Sequence, residues 1–98
     1  MPTFELGRIV ITPKAAASIA RSGQEPSFFL EKHSRIDQGI LNDEDHALNL
    51  EAIKPGGPAD WPACSRVFTA FKTLLGDKMW VITEWDRSVT TILTPDDY

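Results

Sequence analysis

"SRVFTAFKTLLGDKMWVITEWDRSVTTILT", residues Ser65 to Thr94, decides the fold. Upstream of it apolar residues recur at helical spacing. From Arg66 onward they alternate with polar ones, the period of a strand. Turn-forming residues divide the stretch into three runs. Gly76-Asp77 reads as a two-residue hairpin turn, and Asp86-Arg87 as the next. That registry sets Phe71 opposite Ile82, Trp80 opposite Leu93, Ile82 opposite Thr91 and Glu84 opposite Val89. One face then carries Phe71, Trp80, Ile82, Thr91 and Leu93. The other carries Phe68, Leu74, Met79, Val81, Ile92 and Trp85. Both faces are apolar at their centre, so a small domain should leave one partly exposed as a contact patch. The threonines Thr69, Thr73, Thr83, Thr90 and Thr91 read as ordinary strand residues.

Working outward, the opening run "FELGRIVIT", Phe4 to Thr12, is β-branched and closed by Pro13, which reads as a strand. Three helices should follow. The first has Thr12 as N-cap, Pro13 at its first position and Gly23 just past its end. The second starts at Pro26. The third has Asn42 as N-cap and Asp43, Glu44 and Asp45 in its first turn, where the helix dipole favours negative charge. In it Ala47, Leu50 and Ile53 should face the core. The loop from Pro55 to Cys64, with Trp61 between two prolines, is long enough to be a candidate functional loop. The expected fold class is therefore α+β. An N-terminal strand, three short helices and a three-stranded antiparallel meander join in one sheet, with helices on one face.

The chain has 98 residues, enough for one domain and one modest core. Its formal net charge of −4 and scattered basic residues disfavour stable nucleic-acid binding, whose affinity comes mainly from neutralised phosphates. A protein partner with a basic face is the better electrostatic match. No apolar run is long enough for a membrane span, and no signal-peptide pattern is present. The single cysteine, Cys64, allows no internal disulfide, so a cytoplasmic location is expected.

The acids and histidines His33, Asp37, Asp43, Asp45 and His46 have no recognised metal-ligand spacing, so neither metal nor cofactor is expected. No nucleophile motif, Walker A loop or dinucleotide fingerprint appears. The most credible enzyme is a metal-independent ribonuclease of barnase-like or RelE-like architecture. Its acid–base pair and phosphate donors would come from His33, Glu84, Arg87 and Thr91.

Four segments resemble a group of small proteins encoded on bacterial plasmids and other mobile elements. They are "F-x-LGRIV-x-TP" (Phe4, Leu6 to Val10, Thr12, Pro13) and "H-x-x-GDWG-x-L…ED-x-x-x-N" (His33, Asp37, Gly39, Leu41, Glu44, Asp45, Asn49). Next come "R-x-x-S/T-A-aromatic" (Arg66, Thr69, Ala70, Phe71) and a tail similar to "W-x-ITE-x-DRS-x-TTIL-x-P-x-DY" (Trp80 to Tyr98). Ile36 and Gln38 depart from the group's glycine and tryptophan. The resemblance implies a mobile-element setting and carries no catalytic residues. By analogy of setting it implies an inhibitor of host defence, of anti-CRISPR or anti-restriction type.

The leading expectation is thus a non-catalytic protein-binding module acting through Trp61, Trp80, Glu84, Trp85, Asp86 and Arg87. Tryptophan and arginine are enriched where binding energy concentrates. The ribonuclease is the second reading. A homodimer through the apolar sheet face is the third.

Overall fold

The computed structural model describes residues 6–52 and 66–98. Trp61, Cys64, Ile53 and the expected loop around them lie outside these residues, as do Phe4 and Glu5. Strand β1 is Arg8–Ile11. Helices α1 (Pro13–Arg21), α2 (Pro26–Ser34) and α3 (Asp43–Ala52) follow. Strands β2 (Val67–Lys72), β3 (Lys78–Thr83) and β4 (Val89–Leu93) come next, and a short 3-10 turn, Pro95–Asp97, ends the chain.

The helix starts are those the sequence encodes. The Thr12 hydroxyl accepts from the Ala15 N–H at 3.3 Å, and Pro13 and Pro26 each open a helix. The Asn42 side-chain Oδ1 accepts from the Asp45 N–H at 2.8 Å. These bonds satisfy N–H groups that have no partner within the helix.

The strands form one sheet in the order β1-β4-β3-β2. The meander β2-β3-β4 is antiparallel, but β1 runs parallel to β4, so the sheet is mixed. A crossover through three helices is long enough to permit a parallel partner, which a tight hairpin never is.

The second hairpin has the expected pairs, Trp80 with Leu93 and Ile82 with Thr91. The first does not. Phe71 pairs with Met79 instead of Ile82. The turn is Leu74-Leu75-Gly76, closed by Thr73 N–H to Asp77 C=O at 2.8 Å, with Gly76 at φ +90°. This left-handed glycine gives a three-residue hairpin with a bulge, and an odd shift in register exchanges the two faces. Phe71 therefore joins Met79, Val81 and Ile92 on the face covered by α1 and α2, where Ala15, Ile19 and Phe29 complete the core. Phe68 moves to the second face beside Trp80, with ring centroids 5.1 Å apart. Leu74 is not on a sheet face at all. It sits in the turn, 79% exposed.

The second face is not an open patch. Ala70, Ile82 and Leu93 at its centre are all buried. The C-terminal turn lays Tyr98 against Trp80 at 5.7 Å. Asp97 ties that turn down: its Oδ2 accepts from the Thr12 hydroxyl at 2.6 Å and from the Thr94 hydroxyl at 3.0 Å.

Helix α3 also departs from expectation. Ala47 and Leu50 are exposed, and Asn49 is buried instead. The helix does not cover a sheet face. It lies along the edge of β2, where the Asn49 side chain donates to Phe68 C=O at 2.6 Å and accepts from Phe68 N–H at 3.0 Å. The Ile40 N–H donates to Ala70 C=O at 2.9 Å. Three outward-facing backbone groups of β2 are thereby satisfied, which blocks strand addition over Phe68 to Ala70.

The clasp sets an expectation. Replacing Asn49 with alanine leaves both Phe68 groups without their partner, at about 1–3 kcal/mol for each buried group. Urea unfolding should register the loss, and Leu50→Ala, on the exposed side of α3, should change stability far less.

Candidate functional site: the β3–β4 tip and the buried histidine beneath it

At one end of the sheet, β3 and β4 join through Glu84 to Ser88. The Glu84 N–H donates to Val89 C=O at 3.0 Å. The Arg87 N–H donates to Glu84 C=O at 2.9 Å, and its guanidinium Nη1 reaches the same oxygen at 3.2 Å. The Asp86 carboxylate accepts from the Ser88 N–H at 3.0 Å. Hydrogen bonds from the Ser88 hydroxyl and backbone N–H hold the Asp86 carboxyl below the usual carboxylate range. Arg87 itself has φ +60°. The preceding segment locks the turn from the side, because a Cβ on Gly7 would fall 2.4 Å from Arg87 C=O. The result is a fixed tip from which Trp85 projects, 53% exposed.

Under the tip lies a chain of buried polar side chains that crosses the sheet. His33, on α2, has no exposed surface. Its Nδ1 is 2.7 Å from the Thr69 hydroxyl on β2, and its Nε2 is 2.7 Å from the Thr83 hydroxyl on β3. Thr83 is 2.7 Å from the Thr90 hydroxyl on β4, and Thr90 donates to the carbonyl of Leu6 at 2.6 Å. A carbonyl only accepts, and each hydroxyl has one proton to give. The direction of three of the four bonds follows from that. Thr90 donates to Leu6, so Thr83 donates to Thr90. Thr83 must then accept from His33, which places the ring proton on Nε2. With the ring neutral, as its lowered pKa makes it, Nδ1 is the acceptor and Thr69 donates to it.

This arrangement holds a neutral imidazole. Burial, with the positive charge of Arg87 adding to it, lowers the His33 pKa from 6.5 to about 3. An inaccessible base that stays neutral through the physiological range is a structural member of the fold.

The proposed ribonuclease set does not converge. His33 bonds Thr69 and Thr83 on the helix-covered face, whereas Thr91 pairs with Ile82 and lies on the other. Glu84 and Arg87 belong to the turn. The partner-binding set divides as well. Trp85, Asp86, Glu84 and Arg87 share the tip. Trp80 sits mid-strand between Phe68 and Tyr98, four strand residues or about 13 Å from Glu84. Trp61 lies outside the described residues. Among the described residues no three histidine, cysteine, aspartate or glutamate side chains converge on one point, and no helix is long and apolar enough to cross a membrane. The polar chain had no local signal in the sequence, since His33 lies 36 and 50 residues from its two partners.

No family model, curated protein or solved structure matches this chain.

The histidine makes a sharp expectation for pH. Its folded pKa lies below the unfolded value, so between about 6.5 and about 3 the unfolded chain binds more protons. Its contribution is complete above pH 6.5 and declines as pH falls through that window, by up to about 1.4 kcal/mol per pH unit. Urea unfolding at pH 7, 6 and 5 should follow that slope in the wild type and flatten in His33→Gln. Nitrogen chemical shifts of the ring should report the Nε2–H tautomer at pH 7 and still at pH 5.

Proposed function

We propose that this chain is a non-catalytic protein-binding module whose contact surface is the β3–β4 tip. Trp85 carries the reading. A large aromatic side chain stands more than half exposed on a turn that five hydrogen bonds and the Gly7 contact hold in place. Aromatic anchors on pre-ordered backbone lose little entropy on binding, the pattern of residues that dominate interface energies. Arg87 adds to this. A non-glycine residue at positive φ costs roughly 1 kcal/mol or more, so folding alone favours glycine there. Glu84 and Asp86 beside Trp85, together with the net charge of −4, suit a partner with a basic surface. The host-defence setting, an inhibitor of anti-CRISPR or anti-restriction type from a mobile element, is supported by the resemblance of the sequence segments.

Two substitutions separate binding from folding. Trp85→Ala removes an exposed ring. Arg87→Gly puts the preferred residue at the left-handed position. Both should keep the wild-type urea midpoint within experimental scatter, with Arg87→Gly equal or slightly higher. Both should weaken capture of the partner that wild-type protein retains, by about tenfold or more for Trp85→Ala. Variants that capture that partner as well as wild type would overturn the tip as the contact surface.

A further inference from the structure

We propose that the outer edge of β1 is a self-pairing surface. Two copies of the chain would join β1 to β1 in antiparallel register about a two-fold axis at Val10, making two four-stranded sheets continuous. The two edges of the sheet are built differently. The β2 edge is blocked over Phe68 to Ala70 by Asn49 and Ile40. Among the described residues the β1 edge has no such cover. The bonds Arg8 N–H to Ser88 C=O and Thr12 N–H to Ile92 C=O, both 3.0 Å, show that Arg8, Val10 and Thr12 turn their backbone groups toward β4. Ile9 and Ile11 therefore turn theirs outward, and among the described residues nothing receives them on that side. Ile9 is also 43% exposed, a β-branched side chain at the rim of the helix-covered face. An unpaired edge of this composition is a template for another strand.

The occupant is argued from register and charge. The outward groups lie on odd-numbered residues, so a two-fold pairing must oppose odd to odd. Centring on Val10 opposes Ile9 to Ile11 twice, and each such pair exchanges both backbone bonds. It also sets Arg8 directly opposite Thr12 of the second copy. Thr12 holds the Asp97 carboxylate at 2.6 Å. Among the described residues the donors to Asp97, the hydroxyls of Thr12 and Thr94 and the Thr94 N–H, all fall on Oδ2. Oδ1 receives none of these donors, and the exposed Arg8 of the second copy would bring the carboxylate an opposite charge in addition to that of Lys14. Hydrogen bonding from Thr12 and Thr94 keeps Asp97 ionised to lower pH than an ordinary aspartate. The charge pair occurs twice by symmetry, as an isologous contact requires. The pairing limits itself: Gly7, at φ +66°, turns the chain away at one end, and Pro13 has no N–H to offer at the other. The Trp85 tips would stand at opposite ends of the joined sheet.

Sedimentation over a range of concentration tests this. Wild-type protein should move from the mass of one chain to that of two. Arg8→Glu should stay at one chain where wild type is paired, with unchanged circular dichroism. Ile9→Pro, which removes an outward N–H together with the exposed side chain and spares the N–H groups bonded to β4, should do the same. Amide exchange gives a second readout that needs no variant. Ile9 and Ile11 should become protected as concentration rises, while Val10 is protected throughout. Trp85→Ala should leave the pairing intact, which separates this surface from the tip. One-chain mass at every concentration would overturn the proposal. So would a dimer that Arg8→Glu preserves, or protection of Ile9 and Ile11 only when a different protein is added.

Discussion

A neutral histidine held between two threonines is the constraint on which the arrangement rests. A buried imidazole needs partners for both nitrogens, since an unpaired polar group in the interior costs about 1–3 kcal/mol. His33 finds them on two neighbouring strands, Thr69 on β2 and Thr83 on β3. Thr83 passes the chain to Thr90 on β4, and Thr90 to the carbonyl of Leu6, just before β1. One line of hydrogen bonds thus touches three strands of the sheet and the approach to the fourth, and fastens α2 to them. Because each donor's direction is set by the next acceptor, a slip of β3 or β4 by a residue would break two bonds of the line. The apolar core around Phe29, Phe71, Met79, Val81 and Ile92 favours compactness in general. The polar chain selects this register.

The chain also explains why the tip is ordered. Thr83 immediately precedes Glu84, and Thr90 comes two residues after Ser88, so the two legs of the turn are joined by the 2.7 Å contact between their hydroxyls. Leu6 brings Gly7 alongside, where it packs on Arg87 and Ser88. A buried group that cannot act on a substrate therefore shapes the surface proposed above to meet a partner. Its influence is through rigidity and not through chemistry at His33.

What the sequence disclosed was local. Caps at Thr12 and Asn42, prolines at helix starts and the alternation after Arg66 are decided within a few residues, and these elements formed as read. What it concealed was set by distant partners. The Thr73–Asp77 turn could be read as Gly76-Asp77 because both spacings contain the same glycine, and that ambiguity moved Phe71 to the wrong face. Helix α3 looked amphipathic through Ala47 and Leu50, yet its place was fixed by Asn49 reaching Phe68 across 19 positions. Threonines read as strand formers became hydrogen-bond relays. The histidine read as an acid–base residue became their junction. At the candidate site, that Glu84, Trp85, Asp86 and Arg87 lie together was legible because they share one turn. Trp80 was grouped with them by proximity in sequence, but alternation along β3 turns it onto the second face, under Tyr98.

Two positions show where local preference yields to the whole. Ile36 follows α2 at φ +55°, where its N–H bonds His33 C=O at 2.9 Å and the Asp37 N–H bonds Lys32 C=O at 3.0 Å. That is a helix end at which glycine is the usual residue. Isoleucine is tolerated because its side chain is almost wholly buried, and burial of such a side chain, about 1.5–3 kcal/mol, is comparable to the backbone strain. Arg87 has the same backbone conformation without a buried aliphatic side chain to offset it. Its guanidinium closes onto Glu84 C=O and its charge works against protonation of the histidine below. Strain at Ile36 is therefore answered by packing within the fold. At Arg87 the left-handed conformation is held by the turn itself, through the guanidinium and backbone N–H bonds to Glu84 C=O, and it sets the side chain beside Trp85.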